Sequence, residues 1–156
     1  MNLDEYFQVG ETVILGTHYF DAESIVAFAR KFDPQPFHLS EELARGSVFG
    51  RLCASGWHTA SAWMRHNVRT GVLKGAQAWD GNGPAPTVGA SPGFRNMKWL
   101  KPVYAGETVT YTRKVVDQRA LASRPGYRLL TVLGEGHDSA GDKVLEFESA
   151  VIVKAE

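Results

Sequence analysis

A change in hydrophobic periodicity at Phe94 is the strongest constraint on how this chain folds. From Phe94 to Lys154, apolar and polar residues alternate with a period of two, and turn signals separate the alternating runs. We predict four strands from this pattern, over residues 94–100, 108–116, 127–136 and 143–154. One earlier strand is predicted over 11–20. Helices in the first half and consecutive strands in the second half indicate an α+β fold with an antiparallel sheet.

Three helices are predicted before the run of strands. The first begins after Asp21, a favourable N-cap residue, and ends at Pro34, which cannot continue a helix. A short second helix is predicted over about 41–45, and the third and longest over about 55–69. The stretch 74–92 is rich in Gly, Pro and Ala and is predicted to be a long loop.

The longest predicted helix is apolar enough to lie at the centre of the fold. Small and apolar residues occupy most of its first half, so we expect burial on most sides. Trp57, Trp63 and Met64 are expected to pack in the core, and His58 is interpreted as facing the core rather than as a catalytic residue. One antiparallel sheet curved around this central helix is the simplest arrangement that buries both.

Length and composition indicate a single domain over residues 1–156. The 17 basic residues balance the 17 acidic ones, which excludes a broad surface for nucleic acid or membrane. Residues 1–10 contain no apolar run, so no signal peptide is expected, and no segment is apolar enough to span a bilayer. The single cysteine, Cys53, cannot form an internal disulfide, which fits a cytoplasmic protein. We interpret it as a small buried residue rather than a nucleophile.

Asp33 and His38 are the residues that most clearly indicate chemistry. They lie five positions apart, and Pro34 and Pro36 between them fix φ and remove two amide donors. We therefore expect an ordered, non-helical connection that holds a carboxylate and an imidazole at a defined separation. Spacing alone leaves an alternative open, in which Asp33 begins a turn before Pro34 and His38 is a structural hydrogen-bonding residue.

The start of the longest helix, residues 55–61, lies close in sequence to this pair and has no acidic residue in its first turn. The positive end of the helix dipole is therefore not neutralised locally. An acid/base pair beside an open helix N-terminus suits chemistry on a carbonyl compound.

Three segments give the chain a resemblance to the MaoC-like dehydratases, a group that includes the R-specific enoyl-CoA hydratases and has a hot-dog fold. Residues 33–38 match the family's motif of an Asp, four residues and a His. Residues 55–61 resemble the family's His-Gly pair and Thr-Ala-Ser run, which open the central helix. Residues 99–107 resemble its strand-turn-strand with Pro-Val and Gly-Asp. The resemblance extends from about residue 19 to 153.

Three positions depart from the family's pattern. Gln35 replaces an Asn, Phe37 replaces a small aliphatic residue, and Ser55 replaces the His before the helix glycine. The Asp and the His of the motif are both present. The departures therefore bear on the substrate rather than on the reaction.

The resemblance implies an enoyl-thioester hydratase that adds water reversibly to a trans-2-enoyl-CoA and gives a (3R)-hydroxyacyl-CoA. Asp33 and His38 would be catalytic, and Ser55 and Gly56 would bind the thioester oxygen at the oxyanion site. No cofactor and no metal are implied. The acyl carrier would be coenzyme A or acyl-carrier protein, with no nucleic acid or membrane partner.

The resemblance also implies a homodimer, or a larger even oligomer, in which sheets join edge to edge near the acyl tunnel. Four basic residues could contact the carrier's phosphates, and the sequence does not choose among them: Arg51, Arg95, Lys98 and Lys101.

Two other functions remain open at this point. Hot-dog thioesterases hydrolyse similar thioesters with a carboxylate and a similar open helix end. A non-catalytic module that binds acyl thioesters is also compatible with the fold, because a fold does not fix a function.

Overall fold

The computed structural model describes residues 1–71 and 79–155. Its helices are α1 (Leu3–Tyr6), α2 (Ala22–Phe32), α3 (Pro36–Leu39), α4 (Glu41–Arg45) and α5 (Gly56–Thr70). Its strands are β1 (Thr12–Tyr19), β2 (Thr87–Val88), β3 (Gly93–Trp99), β4 (Thr108–Ala120), β5 (Tyr127–His137) and β6 (Lys143–Lys154). No helix within these two ranges is long and apolar enough to cross a membrane.

The strands form one antiparallel sheet in the order β1-β4-β5-β6-β2, and β3 also pairs with β6. β1 therefore lies at one edge, and β3 with the short β2 lies at the other. The predicted α+β class is confirmed. The loop predicted over 74–92 falls partly outside the described residues, and its described part contains β2.

Helix α5 packs against the sheet through large side chains that also hydrogen-bond. The Trp63 ring meets the Phe147 ring edge to face at 4.7 Å, and the indole nitrogen donates to the Thr112 carbonyl at 2.8 Å. From the sheet, the Tyr111 hydroxyl donates to the Thr59 carbonyl at 2.7 Å. Because these polar atoms are paired, burying the rings of the core does not leave them unsatisfied.

The outer face of α5 differs from the prediction that the helix is buried on most sides. Trp63 is in the core at 2% exposure, but Trp57 is 49% and Met64 is 47% exposed, so their predicted core positions are wrong. These two residues and the 64% exposed Val68 recur at helical spacing on a single face. The sheet covers the opposite face.

The connection between Asp33 and His38 contains a helical turn, so the prediction that it is non-helical is wrong. Helix α3 begins at Pro36. Proline is tolerated at this first helical position because the amide hydrogen that it lacks would have no partner within the helix. Gln35 precedes it in extended conformation, as expected of a residue before proline. Helix α2 ends where predicted, with Asp33 as its C-cap residue.

Candidate active site

A cleft of about 450 Å³ opens at the N-terminal end of α5. Asp33, His38 and Gly56, all expected at the site from the sequence, contribute to its wall. Much of the remaining wall is apolar and includes Phe37, Trp57, Trp99 and Val103. Ser55, the fourth expected residue, is fully buried behind this wall.

The carboxylate of Asp33 is held by two hydrogen bonds from neighbouring side chains. The Ser55 hydroxyl donates to Oδ2 at 2.7 Å, and the Gln35 amide donates to Oδ1 at 2.7 Å. A carboxylate only accepts hydrogen bonds, so two donors on its two oxygens fix its orientation. Oδ2 also lies 3.4 Å from Nε2 of His38.

The imidazole of His38 is oriented by a backbone carbonyl. Its Nδ1 lies 2.6 Å from the carbonyl oxygen of Cys53, which can only accept, so Nδ1 carries the hydrogen. In the neutral ring, Nε2 then has a free lone pair that points toward Asp33. The His38 side chain is only 7% exposed, so few other orientations are open to it.

The two facing atoms form a receptor for one water molecule. When the His38 ring is neutral, Oδ2 of Asp33 and Nε2 of His38 are both acceptors, and neither donates to the other. A water molecule in the cleft can donate one hydrogen to each of them. Chemically, such an arrangement can activate the water oxygen as a nucleophile and offer its proton an immediate acceptor.

Ser55 lies in a different place from the one expected of a residue that contacts a thioester oxygen. Its hydroxyl hydrogen is donated to Asp33, and its oxygen accepts from the Trp57 amide at 3.2 Å. The hydroxyl thus serves the carboxylate and caps α5 at the same time. Its placement fits positioning Asp33, not touching the substrate.

Gly56 presents the backbone amide that the start of α5 leaves available. The next three amides of the helix bond to Ser55, through its hydroxyl or its carbonyl. Among the described residues, no acceptor takes the Gly56 amide hydrogen. With no acidic residue in the first turn of α5, this amide remains a donor toward a developing negative charge.

Cys53 contributes its backbone rather than its thiol. The residue is 1% exposed, and burial raises the pKa of its thiol to about 11. The thiol is therefore protonated at neutral pH and unsuited to nucleophilic attack. This agrees with its interpretation as a buried structural residue.

The four basic candidates for carrier phosphates differ in their surroundings. Lys101 lines the cleft, but its ammonium group bonds Asp138 at 2.8 Å and Asp142 at 2.9 Å, and these bonds raise its pKa. Arg95 pairs with Glu148 at 3.1 Å. Arg51 stacks over the Tyr104 ring at 3.9 Å, and no salt bridge is found for Lys98 among the described residues.

Three groups at the site were not identified from the sequence. The Gln35 amide and the Cys53 carbonyl orient the acid/base pair, and the Trp99 ring covers Gly56. Gln35 could have been found from the sequence, since it lies inside the Asp-to-His motif. The other two could not, because a backbone carbonyl has no sequence signature and Trp99 is brought in by the fold.

A family model described as the MaoC like domain matches residues 8–128. The chain belongs to the MaoC-like dehydratase family. A MaoC-like dehydratase from Rhodospirillum rubrum, known from a crystal structure, is 31% identical, with a TM-score of 0.79 over 100% of this chain and 98% of that chain. The protein YdeM from Bacillus subtilis (strain 168), which is uncharacterised, is 27% identical over 154 residues that cover 99% of each chain.

The (R)-hydratase from A. caviae involved in PHA biosynthesis shares the fold of this MaoC-like dehydratase. It is 23% identical, with a TM-score of 0.64 over 95% of this chain and 96% of that chain. The hot-dog fold expected from the sequence, an antiparallel sheet curled around a long helix, is thereby confirmed, as is the family resemblance.

Proposed function

We propose that this MaoC-like dehydratase catalyses the reversible addition of water to a trans-2-enoyl thioester, giving a (3R)-hydroxyacyl thioester. The observation that carries the proposal is the pair of facing acceptors, Asp33 Oδ2 and His38 Nε2, 3.4 Å apart on the wall of a mainly apolar cleft. The family match supports a hydro-lyase reaction of this type.

Hydration begins with a water molecule that donates to both members of the pair. Its oxygen attacks the β-carbon, a carbon–oxygen bond forms, and the π electrons move toward the thioester carbonyl. The pair accepts one proton from the water and delivers a proton to the α-carbon. Because the same pair serves both carbons, oxygen and hydrogen add to the same face of the double bond. Dehydration is the reverse.

The charge that develops on the thioester oxygen needs a fixed donor. Gly56 lines the cleft, its amide has no acceptor among the described residues, and it lies at the positive end of the α5 dipole. Removing one donor of this type from an enzyme typically costs about two to three orders of magnitude in turnover. We assign Gly56 as the oxyanion donor and Ser55 as the positioning residue for Asp33.

A second copy of the chain is the proposed partner. Trp57 and Met64 on α5 and Phe94 on β3 are all large, apolar and 47–57% exposed. They lie beside β3, an edge strand, and an edge with apolar neighbours tends to pair with another chain. A homodimer joined at this edge would cover both the edge strand β3 and the apolar side chains beside it. Light scattering at micromolar concentration should give twice the mass of one chain, and a monomer would contradict the assembly.

The direct test is an assay of the purified protein with trans-2-enoyl-CoA substrates. We expect the enoyl absorbance to fall without release of free thiol, and the product to be the (3R) enantiomer on chiral analysis. Release of thiol without hydration would identify a thioesterase instead. Binding of the thioester with neither reaction would identify a non-catalytic module.

A further inference from the structure

Two tryptophans stand between the catalytic cleft and a second apolar groove. The Trp57 and Trp99 rings meet edge to face, with centroids 5.1 Å apart. Trp99 lines the cleft, whereas Trp57 lines both the cleft and the groove. The groove has a volume of about 240 Å³, and apolar residues dominate its wall: Ala60, Met64, Phe94, Met97 and Phe147.

A β-bulge in β3 directs Trp99 toward the cleft. Arg95 pairs with Glu148 and Lys98 with Glu146, so β3 contains one residue more than β6 between these pairs. Asn96 adopts a positive φ of 54° inside the bulge, a conformation that Asn tolerates better than most residues. The extra residue changes the alternation of faces, so side chains on both sides of the bulge point toward α5.

The consequence is visible in which cavity each side chain lines. Phe94, before the bulge, and Met97, after it, both line the groove, and Trp99 lines the cleft. With strict alternation, Phe94 would share its face with Asn96 and Lys98 instead. The bulge therefore brings an aromatic side chain to the boundary between the two cavities.

The position of Trp99 is held by contact with the start of α5. A Cβ atom placed on Gly56 would lie 2.6 Å from the Trp99 indole nitrogen and 2.7 Å from its Cδ2 atom. The indole thus occupies the space that a side chain at position 56 would take. The Trp99 ring is 44% exposed, but its contacts with the helix terminus on one side and with Trp57 on the other restrict its rotation, so the two rings together form a wall.

We propose that the Trp57–Trp99 pair is this wall, and that it restricts the enzyme to enoyl thioesters with short acyl groups. The inference rests on the hydratase function proposed above. The catalytic cleft must hold the thioester head and the reacting carbons, and the pair closes its path to the groove. The groove itself is apolar enough for a methylene chain, and each methylene buried there would strengthen binding roughly fourfold.

The test compares the wild type with Trp57→Ala on enoyl-CoAs of increasing length, from crotonyl-CoA to trans-2-decenoyl-CoA. Alanine is well tolerated in a helix, and the Trp57 ring is half exposed in the single chain, so the variant should fold. Because Trp57 also lies at the proposed dimer edge, light scattering must give the variant the same mass as the wild type before the two are compared. For the wild type we expect kcat/KM to fall steeply with chain length. The ratio of kcat/KM for decenoyl to crotonyl substrate should rise at least tenfold in the variant, through a lower KM.

Val68→Ala is the matched control. Val68 is an exposed apolar residue on the same face of α5, and it lines neither the cleft nor the groove. The ratio of kcat/KM for decenoyl-CoA to kcat/KM for crotonyl-CoA in Val68→Ala should equal that of the wild type. Trp99→Leu opens the wall from the strand side and should change the ratio in the same direction as Trp57→Ala. A wild type that already favours decenoyl-CoA, or a ratio unchanged in both tryptophan variants, would overturn the proposal.

A binding measurement separates failure of the wall from failure of the hydratase function. Calorimetric titration with butyryl-CoA and decanoyl-CoA, which cannot be hydrated, needs no turnover. If Trp57→Ala gains at least tenfold in affinity for decanoyl-CoA relative to butyryl-CoA, the result supports the proposal that the tryptophan pair excludes long acyl groups, even if no enoyl-CoA is hydrated. If hydration occurs and neither the affinity ratio nor the kinetic ratio changes, the proposed role of the tryptophan pair is wrong and the proposed hydratase function is retained.

Discussion

The Ser55 hydroxyl donates a 2.7 Å hydrogen bond to the Asp33 carboxylate and also accepts the Trp57 amide, the second amide of α5. One buried side chain thus joins the end of α2, where Asp33 is the C-cap, to the start of α5. The same hydroxyl oxygen therefore positions the Asp33 carboxylate and the start of α5. Any change in this hydroxyl should therefore affect the relation between them.

The first prediction separates the two roles of Ser55. Ser55→Ala removes both hydrogen bonds and should lower the free energy of unfolding by about 2.5–4 kcal/mol, about 1 for the N-cap and the rest for the bond to the charged carboxylate. Ser55→Gly loses the same bond to Asp33 but retains most of the capping preference, so it should cost about 0.5–1 kcal/mol less than Ser55→Ala. Both should lower kcat by about tenfold or more, because both leave Asp33 without its donor. Urea unfolding and hydration kinetics on the same preparations measure this.

The comparison of the two Ser55 variants decides the interpretation. If Ser55→Gly retained wild-type kcat while Ser55→Ala lost it, the activity would follow helix capping, and the positioning role would be wrong.

The second prediction concerns Asp33→Asn. The substitution preserves size but removes the carboxylate that accepts the water proton in the proposed reaction, so hydration should fall by about two to four orders of magnitude. The negative charge at the α2 C-terminus disappears, which is favourable by about 0.5 kcal/mol. The amide, however, has an acceptor at only one of the two oxygen positions to which Ser55 and Gln35 donate. These effects oppose each other, so the free energy of unfolding should change by less than about 1 kcal/mol.

Melting temperature and enoyl-CoA hydration should be measured on one preparation of Asp33→Asn. The alternative, that Asp33 only forms a turn, requires near-normal activity, because Asn serves the same turns. Full turnover by a stably folded Asn variant would remove Asp33 from the mechanism.

The sequence was most informative where local rules and the family motif agree. Pro34 places the end of α2 at Asp33, and the observed α2 stops there. The Asp33–His38 pairing followed from the motif, and the structure brings the two side chains together. These relations are local, within six residues of sequence, so they depend little on how the rest of the chain packs.

The sequence was least informative where the tertiary arrangement decides. The partner of His38 Nδ1 is the Cys53 carbonyl, 15 positions away, and every residue carries such a carbonyl. The apolar composition of the longest helix predicted burial of Trp57 in the core, but the sheet leaves the face that carries Trp57 uncovered. The one-residue bulge at Asn96 depends on pairing with β6, so the approach of Trp99 to Gly56 could not be predicted from either residue alone.

The third prediction tests that approach directly. Gly56→Ala places a Cβ into the Trp99 indole and should destabilise the protein by about 1–3 kcal/mol, the usual cost of overpacking. In a Trp99→Ala background the same change should be neutral or stabilising by up to about 1 kcal/mol, because Ala is a better helix residue than Gly. Unfolding of the wild type, both single variants and the double variant forms a closed cycle. Additive effects in the cycle would contradict the contact.

Three histidines form a cluster between β1, α2 and α5, away from the cleft. The His58 ring stacks on Phe28 at 4.6 Å, nearly parallel, and its Nδ1 is buried without a hydrogen-bond partner among the described residues. The His18 Nδ1 atom lies 3.3 Å from the His66 Nε2 atom. Burial lowers the pKa of all three, and for His58 it does so from 6.5 to about 4, with nearby His18 adding to the effect and Asp21 opposing it.

The last prediction is that this cluster weakens the fold in acid. Between pH 6.5 and about 4, His58 is protonated in the unfolded chain but neutral in the folded one, so the unfolded state binds more protons. The free energy of unfolding should therefore be highest above pH 6.5 and decrease as the pH falls toward 4. His58 should account for up to about 3 kcal/mol of this decrease. His58→Leu removes the titrating ring and the unpartnered nitrogen together. Urea unfolding at intervals from pH 7.5 to 4.5 should give a shallower decline for this variant, with the remaining slope due partly to His18 and His66. Identical slopes for the wild type and His58→Leu would show that His58 does not carry the acid sensitivity.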